Sequence, residues 1–343
     1  MSDQELVLLA HGGGGLLSRE LVERIFVPRF ANAALAALED ASSIALADAD
    51  GRLRGQPVLT TDSYVVQPLF FPGGDIGKLA VCGTVNDLAM RGAVPRYLTA
   101  GFVLEEGLPI AELERVVASM AAAAAEAGVP IVAGDTKVVE RGAADRLFIN
   151  TAGIGLVPEG VHISVRNARP DQAVLLSGAV GDHGLAILTQ RQGLHLDSPL
   201  RSDCAPLHTL VANLLAACPQ TAVLRDPTRG GLATALNEIA QQSGVGIALD
   251  ETAIPLHDAV RTAGDLLGLD PLYVANEGKL IALVPGDQAQ AALRALRAHP
   301  LGAEAAIIGH VQPDARARVV VRTGLGTHRL LPMLAGEQLP RIC

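Results

Sequence analysis

Four aspartates stand where a carboxylate could reach a bound ligand: Asp40, Asp62, Asp87 and Asp135. Asp62 and Asp135 each close an apolar run, and an open α/β sheet presents its ligand-binding groups at such strand ends. Carboxylate oxygens suit Mg²⁺, which usually arrives with substrate phosphates. A single aspartate is more commonly a cap or turn residue. The set as a whole, rather than any one member, therefore predicts a site for magnesium and phosphate.

Glycine-rich stretches could cradle the phosphates of such a site. They are HGGGG (11–15), FPGGDIGK (71–78) and DPTRGGLATAL (226–236). In the third stretch Gly230 and Gly231 precede an apolar helix whose N-terminus favours anions, and Thr228 and Arg229 add donors. A glycine turn with a solvated arginine accounts for the same spacing. Because no segment fits a P-loop or a dinucleotide fingerprint, any nucleotide site must be of another kind.

Lys137 and Glu277 are polar residues beside apolar strands. Burial and neighbouring charges can tune a lysine or glutamate in such a place for proton transfer. Placement at the solvated surface is the alternative for both.

The chain ends on a thiol, Cys343, two residues after Arg341. A terminal thiol near a cation could have thiolate character, and a mobile tail could carry it between two active sites. The alternative is an incidental last residue, although an exposed thiol is prone to oxidation. The other cysteines, Cys82, Cys204 and Cys218, fall in apolar helical patterns and are expected to be packed, reduced thiols.

The composition predicts a globular, two-domain enzyme with an aliphatic core. The chain has 343 residues, 49% of them hydrophobic and only 3% aromatic, and this length suits about two domains. A net charge of -9 without a basic run argues against binding to nucleic acid or to an anionic membrane. No segment has the features of a signal peptide or a membrane span, so we expect a cytoplasmic protein.

Alternating strand and helix patterns predict an α/β protein of mixed α+β type. In the first half they predict strands at 59–66, 96–104, 129–139 and 146–157, and helices at 77–92 and 111–128. In the second half they predict strands at 173–181, 246–250, 279–284, 305–311 and 317–321, and helices from 183, at 207–218, within 225–244 and at 288–298. The turn signals at 157–160 and 167–171 mark the expected domain boundary.

The chain resembles the aminoimidazole ribonucleotide synthetase-like family of ATP enzymes, and within it the members that mature hydrogenases. The resemblance runs from the first glycines to the last residue. It rests on TTDSYVVQPLFFPGGDIGKLAVCGTVNDLAMRGAVPRYL, GDTKVV, LFINTAGIG, DPTRGGLATALNEIA, NEGK and the terminal PRIC. It implies an ATP-binding and dimerisation domain at 1–158, a C-terminal α/β domain at 168–335, and a flexible tail at 336–343 that carries the reactive cysteine. The N-terminal domains would pair in a homodimer into a barrel-like sheet.

The resemblance also implies roles for individual residues. Asp62, Asp87, Asp135 and Asp226 would serve Mg²⁺ and the phosphates of ATP, together with Asp40 of the acidic pair Glu39-Asp40 that precedes the small residues 41–43. Lys78 and Asn86 would lie near the nucleotide, with the turn of Thr228, Arg229, Gly230 and Gly231. The loop that begins with His11, Gly12 and Gly13 would cover it. Glu277 and Lys137 are the candidates for the base, with Glu277 first because a protonated lysine cannot accept a proton.

The implied reaction takes place on Cys343. A partner carbamoyltransferase, HypF, would place a carboxamide on the sulfur, and ATP-driven loss of water would convert it into a thiocyanate. The cyanide group would pass to iron on a HypC–HypD scaffold for a nickel–iron hydrogenase.

Two other functions remain compatible with the residues. An ATP-dependent kinase or synthetase for a small diffusible substrate predicts turnover that survives Cys343→Ala. A non-catalytic scaffold that offers the thiol to iron predicts metal binding at Cys343 without linked ATP consumption.

Overall fold

The structure, a computed structural model, describes residues 5–13, 15–37, 41–47, 50–194, 200–334, 336 and 341–342. Two predicted site residues, Asp40 and Cys343, lie outside the described residues. In the described part, no helix is long and apolar enough to cross a membrane.

The N-terminal half is built on a four-stranded sheet. Its elements are α1 (Leu16–Leu21), β1 (Gln56–Tyr64), β2 (Phe70–Phe71), β3 (Gly74–Asp75), α2 (Ile76–Met90), β4 (Val94–Glu105), α3 (Ile110–Ala127), β5 (Ile131–Val139) and β6 (Leu147–Val157). The strand order is β1–β6–β4–β5. Only β4 and β5 run parallel, and α3 connects them. The strands and helices predicted for this half are therefore confirmed.

One face of this sheet is covered by α2 and α3, and the other is open. Alternate residues of β4, such as Leu98 and Phe102, are buried in the core with both helices. On the open face, Leu59 of β1 and Val103 of β4 are exposed, Leu59 by 76%. A strand that buries every second residue has one covered face. The apolar residues on the other face are therefore exposed in the single chain.

Helix α2 is buried on nearly all sides. Asp75 caps its start, because Oδ1 accepts the amides of Gly77 at 2.8 Å and Lys78 at 3.1 Å. Lys78 and Asp87 are the only residues of α2 that are not buried. These two polar side chains are therefore the parts of α2 that solvent or a ligand can reach.

The C-terminal half is a seven-stranded sheet with helices on both faces. Its elements are β7 (Gln172–Leu176), α4 (Asp182–Gln192), α5 (His208–Ala217), β8 (Val223–Arg225), α6 (Gly231–Ser243), β9 (Gly246–Asp250), α7 (Asp258–Leu267), β10 (Ile281–Pro285), α8 (Ala289–Arg297), β11 (Ala306–Gln312), β12 (Val319–Arg322) and β13 (His328–Leu330). The strand order is β13–β12–β9–β11–β7–β10–β8. Val174 packs with α6 on one face, whereas Leu175 packs with α5 and α8 on the other. The continuous apolar runs in this half reflect burial on both faces.

Residues 158–171 connect the two sheets, and α2 contacts both α5 and β8 of the second half. The cysteines at 82, 204 and 218 are free and buried, as predicted. The prediction that all three lie in helices is confirmed for Cys82 only: Cys204 lies in a loop before α5, and Cys218 directly follows the last residue of α5. Helix α7 was not predicted, although its apolar residues stand at helical spacing: Ala259, Val260, Ala263, Leu266 and Leu267.

Candidate active site

Asp62 and Asp87 come together where β1 meets α2. The Oδ1 of Asp62 accepts the Ser63 amide at 2.8 Å, and the Oδ2 of Asp87 accepts the Thr60 hydroxyl at 2.8 Å. Burial raises the pKa of Asp87, the hydrogen bond from Thr60 opposes the rise, and the Asp62 carboxylate adds to it. The fold thus places two of the predicted metal ligands within electrostatic reach of each other.

Asp226 and Glu277 join them from the C-terminal half. Asp226 directly follows β8 and Glu277 precedes β10, and both are buried. Burial raises the pKa of Asp226 to about 6, with Asp87 as the next cause. The pKa of Glu277 lies well above its ordinary value because of burial first, then Asp226, Asp203 and Asp62. We call Asp62, Asp87, Asp226 and Glu277 the acidic cleft.

The acidic cleft has the chemistry of a magnesium site that is completed by a substrate. Neighbouring carboxylates repel one another, and a divalent cation would offset that charge. Among the described residues, no three His, Cys, Asp or Glu side chains form a group that could hold a metal. Mg²⁺ usually keeps several waters and takes one or two carboxylates together with phosphate oxygens. The residues therefore fit a metal ion that enters with a nucleotide.

A tight glycine turn leads from the cleft into α6. The Thr228 carbonyl accepts the Gly231 amide at 2.9 Å. Gly230 and Gly231 have φ angles of +75° and +61°, a conformation that favours glycine. A Cβ on Gly231 would lie 2.6 Å from the Val274 carbonyl oxygen. The turn therefore requires glycine, and it leaves the N-terminus of α6 next to the cleft.

Two arginines border the acidic cleft. Arg225 forms an ion pair with Glu238 at 2.8 Å, and Arg229 is exposed. Both positive charges lower the pKa of Asp87, against the larger effect of burial. A guanidinium group binds phosphate oxygens in bidentate fashion, so Arg229 gives the cleft a group suited to substrate phosphates.

A second cluster lines a cavity of about 780 Å³ at the β5 edge of the first sheet. The loop of His11, Gly12 and Gly13 forms one side, and Asp135 and Lys137 of β5 form another. Its apolar wall includes Phe26, Phe30 and Phe102. Sites for small molecules usually have volumes of this order. We call it the edge cavity.

The acidic cleft and the edge cavity are separate within one chain. Asp62 lies on β1 and Asp135 on β5, the two outer strands of the first sheet. Three strand spacings separate these edges, which corresponds to roughly 14 Å. A single chain therefore does not bring Asp135 and Lys137 to the other predicted metal and base residues.

Lys78 and Asn86 of α2 have different surroundings. The Lys78 ammonium donates to the Gly73 carbonyl at 3.4 Å. The Asn86 amide nitrogen donates to the carbonyls of Ala205 and Glu277 at 3.1 and 3.2 Å, and its oxygen accepts the Leu207 amide at 2.7 Å. Asn86 thus holds the backbone of Glu277, and its predicted contact with a nucleotide stays a prediction.

The residues before the terminal cysteine are held in place. Ile342 is buried in the core, and its carbonyl accepts a hydrogen bond from Nε2 of His183 at 2.7 Å. The Arg341 carbonyl accepts the Gln67 amide at 3.2 Å and the Arg191 guanidinium at 2.7 Å. The predicted flexible tail therefore has a docked position at these two residues.

His183 is neutral and has a defined tautomer. Burial lowers its pKa. A carbonyl oxygen can only accept, so Nε2 donates to Ile342, and Nδ1 accepts the Ser202 hydroxyl at 2.8 Å. Ser202 is followed by Asp203, whose Oδ1 accepts the Glu277 amide at 3.0 Å.

Sequence reasoning missed the residues that hold the tail: Gln67, His183, Arg191 and Ser202. His183 follows the carboxyl end of an apolar segment, which is the criterion that singled out Asp62 and Asp135. The other three gave no local signal, because their contacts join segments far apart in the chain.

Two family models match the chain. The AIR synthase related protein N-terminal domain matches residues 39–157, and the corresponding C-terminal domain matches residues 169–322. These matches, the two sheets and the acidic cleft define an AIR synthase related protein.

Full-length relatives narrow the assignment. The chain is 56% identical over 335 residues to carbamoyl dehydratase HypE of Cupriavidus necator, covering 98% of this chain and 94% of that protein. It superimposes on a crystal structure of hydrogenase maturation protein HypE in complex with ATP with a TM-score of 0.93 at 53% identity, over 98% and 99% of the two chains. A HypE–HypF complex matches with a TM-score of 0.80 at 48% identity, over 93% and 100%. The chain belongs to the HypE family.

Proposed function

We propose that this protein is an ATP-dependent carbamoyl dehydratase whose substrate is an S-carbamoyl group on its own Cys343. The observation that carries the proposal is the docked tail, because Ile342 is bonded to His183 beside the loop that holds Glu277. Cys343 follows Ile342 directly in the sequence. Relatives over nearly the whole chain are named carbamoyl dehydratases, and a hydrogenase maturation protein HypE of similar structure was crystallised with ATP.

The chemistry needs ATP because an amide oxygen is a poor leaving group. Transfer of the γ-phosphoryl group to that oxygen turns it into phosphate. The carbon–oxygen bond then breaks, the nitrogen gives up its protons, and a carbon–nitrogen triple bond forms. The balance is R–S–C(O)NH2 + ATP giving R–S–CN + ADP + phosphate. Positioning and charge neutralisation are the main catalytic contributions to such a phosphoryl transfer.

Glu277 is the base in this proposal. Its raised pKa makes the ionised carboxylate a stronger proton acceptor than an ordinary glutamate. Asp203 and Asn86 hold its backbone on both sides of the residue. Lys137 lies in the edge cavity, and as an ammonium it can only donate, which suits contact with phosphate or with the amide oxygen.

The nucleotide binds across the acidic cleft. Asp62, Asp87 and Asp226 would hold Mg²⁺, which neutralises the charge of the phosphates during transfer. Arg229 and the amides at the start of α6 bind phosphate oxygens. The glycine loop of the edge cavity covers the nucleotide, and its aromatic wall suits the face of a purine base.

A homodimer completes this site. The open face of the first sheet exposes Leu59 and Val103, which a second copy would bury. Pairing β1 of one chain with β5 of the other would close the sheets into a barrel and remove both free edges. The partner's edge cavity, with Asp135 and Lys137, would then adjoin the acidic cleft.

The remaining partners follow from the chemistry of the tail. A carbamoyltransferase, HypF, supplies the carboxamide, and a solved HypE–HypF complex is among the similar structures. The HypC–HypD complex receives the cyanide on iron for a nickel–iron hydrogenase. We place this reaction in the cytoplasm, where a terminal thiol stays reduced.

Intact mass and mapping of the C-terminal peptide test the proposal. The protein is mixed with the carbamoyltransferase, carbamoyl phosphate and ATP. We expect a carbamoyl mass gain on Cys343, followed by loss of one water only with hydrolysable ATP and an intact Asp135. No adduct on Cys343 in the presence of a demonstrably active transferase would refute it and favour a small-molecule kinase.

A further inference from the structure

Asp203 binds two residues of the loop that contains Glu277, namely Glu277 and Lys279. Its Oδ1 accepts the Glu277 amide at 3.0 Å, and its Oδ2 accepts the Lys279 ammonium at 3.1 Å. Although burial raises the pKa of Asp203, the positive charge of Lys279 leads the effects that lower it overall, so the carboxylate stays ionised. One buried carboxylate therefore fixes residues on both sides of Gly278.

The loop that contains Asp203 and the loop that contains Glu277 and Gly278 are packed too closely to slide past each other. A Cβ on Gly278 would lie 1.8 Å from the Asp203 carbonyl oxygen. Asn86 of the N-terminal half holds the Glu277 carbonyl from another direction. The position of Glu277 is thus set by the loop that contains Asp203.

The preceding residue of the same loop holds the tail. The Ser202 hydroxyl donates to Nδ1 of His183 at 2.8 Å, and it accepts the Cys204 amide at 3.1 Å. His183 in turn donates to the Ile342 carbonyl. The Ser202 backbone amide is bonded to the Pro72 carbonyl at 2.8 Å, so the loop is anchored independently of the tail.

We propose that Ser202 and Asp203 are positioning residues that fix the distance between the docked tail and Glu277. Their Cα atoms are about 3.8 Å apart, and each holds one of the two parts that must meet in the reaction. The inference rests on the proposed function, because it assigns a role for the docked Ile342 in bringing Cys343 to the base. It also explains the chain of hydrogen bonds that runs from Ser202 through His183 to the tail.

The test separates the two steps that Cys343 undergoes. Carbamoylation takes place on the partner enzyme and needs the tail released, whereas dehydration needs it docked. In Ser202→Ala, His183 loses the partner of Nδ1, so its ring and the Ile342 carbonyl bonded to it are no longer fixed relative to Glu277, and loss of one such hydrogen bond corresponds to roughly a fivefold smaller fraction of docked tails in the reactive alignment. We expect single-turnover dehydration to slow by about that factor, with carbamoylation as fast as in wild type or faster. A general loss of structure would slow both steps.

Ser243→Ala is the matched control. The Ser243 hydroxyl also makes one donated and one accepted hydrogen bond, to Val165 and from Ala168, at the far end of α6. This variant should change neither step, and Ser202→Thr, which keeps the hydroxyl, should restore dehydration. Wild-type dehydration in folded Ser202→Ala, or equal slowing of both steps, would overturn the inference.

Asp203→Asn gives a second, independent test. The amide keeps an oxygen for the Glu277 N–H but turns a donor towards Lys279, which loses its ion pair. We expect dehydration to slow at least tenfold while carbamoylation is unchanged. In Asp314→Asn the oxygen likewise keeps the Arg316 amide while the ion pair with Arg318 is lost, and this variant should leave both steps unchanged. If Asp203→Asn dehydrates at the wild-type rate, Asp203 is not a positioning residue. If wild type itself is carbamoylated but never dehydrated, the proposed function fails instead.

Discussion

At the scale of single residues, the acidic cleft combines burial with like charge. Glu277 and Asp226 both have raised pKa values: burial is the first cause for each, Asp226 adds to the rise at Glu277, and Asp87 adds to the rise at Asp226. Such an arrangement costs stability in the unliganded protein and is relieved by a cation or a proton. The same carboxyl groups therefore lower the stability of the unliganded protein and favour the binding of a cation or a proton.

Glu277→Gln isolates the catalytic side. The amide keeps the size of the side chain but cannot act as a base towards the protons on the substrate nitrogen. Single-turnover dehydration should therefore fall by about 10²- to 10⁴-fold. Carbamoylation of Cys343 should continue at the wild-type rate. Peptide mass spectrometry of the carbamoyl and cyano forms over time measures both, and unchanged dehydration would assign the base elsewhere.

Asp226→Asn isolates the stability side. The pKa of the Asp226 carboxyl rises from 3.8 to about 6 on folding. The folded wild-type protein therefore binds this proton more tightly than the unfolded chain, and it loses stability as the pH rises between these values. Above pH 6 the variant should be more stable than wild type by about 2 to 3 kcal/mol without ligand. The gain should shrink as the pH falls towards 4.

Denaturant unfolding measured across this pH range tests that sign. Mg²⁺ with ATP should then stabilise wild type more than Asp226→Asn, because the variant lacks the ionised ligand. A variant that is less stable than wild type at pH 8 would contradict the raised pKa.

At the scale of elements, close backbone packing explains the glycine loop of the edge cavity. A Cβ on Gly12 would lie 2.6 Å from the Val138 amide nitrogen, whereas a Cβ on Gly15 meets nothing within 4 Å. Gly12→Ala should therefore push the loop away from β5 and raise the ATP concentration for half-maximal dehydration by roughly tenfold, equivalent to about 1.4 kcal/mol. Gly15→Ala is the control in the same loop, and an equal effect in both variants would contradict the packing argument.

The sequence predicted the elements better than their contacts. Strand β1 and helix α2 were recognisable from local periodicity, because the side chains that repeat along them face one core. The bond from Asn86 to Glu277 joins residues 191 positions apart, and no local pattern reports such a contact. The same holds for the tail, whose docked position depends on His183. Local sequence therefore selects candidate residues, and tertiary structure decides which of them meet.

At the scale of the whole molecule, the two halves of the predicted nucleotide site lie on opposite edges of one sheet. A dimer that pairs β1 with the partner's β5 predicts that each active site takes Asp87 from one chain and Asp135 from the other. Asp87→Asn and Asp135→Asn should each be inactive as homodimers. A mixture of the two should regain about a quarter of the wild-type activity, because half of the dimers are hybrids with one intact site.

Activity assays after exchange of subunits, with the oligomeric state followed by sedimentation, test this arrangement. Two copies of the same variant give the baseline. No recovery in a mixture that demonstrably contains hybrid dimers would place Asp87 and Asp135 in a site of a single chain.

The buried Ile342 also sets how often the tail is free. A buried isoleucine side chain contributes about 1.5 to 3 kcal/mol, and each hydrogen bond of the two carbonyls adds about 1, against about 1 to 2 per residue for the lost backbone freedom. A net docking energy of about 3 kcal/mol leaves the tail released for roughly 1% of the time. Any enzyme that must capture the released tail then binds it with an apparent affinity lowered about a hundredfold. The rate at which Cys343 is first modified would accordingly be governed by the small fraction of time for which the tail is released.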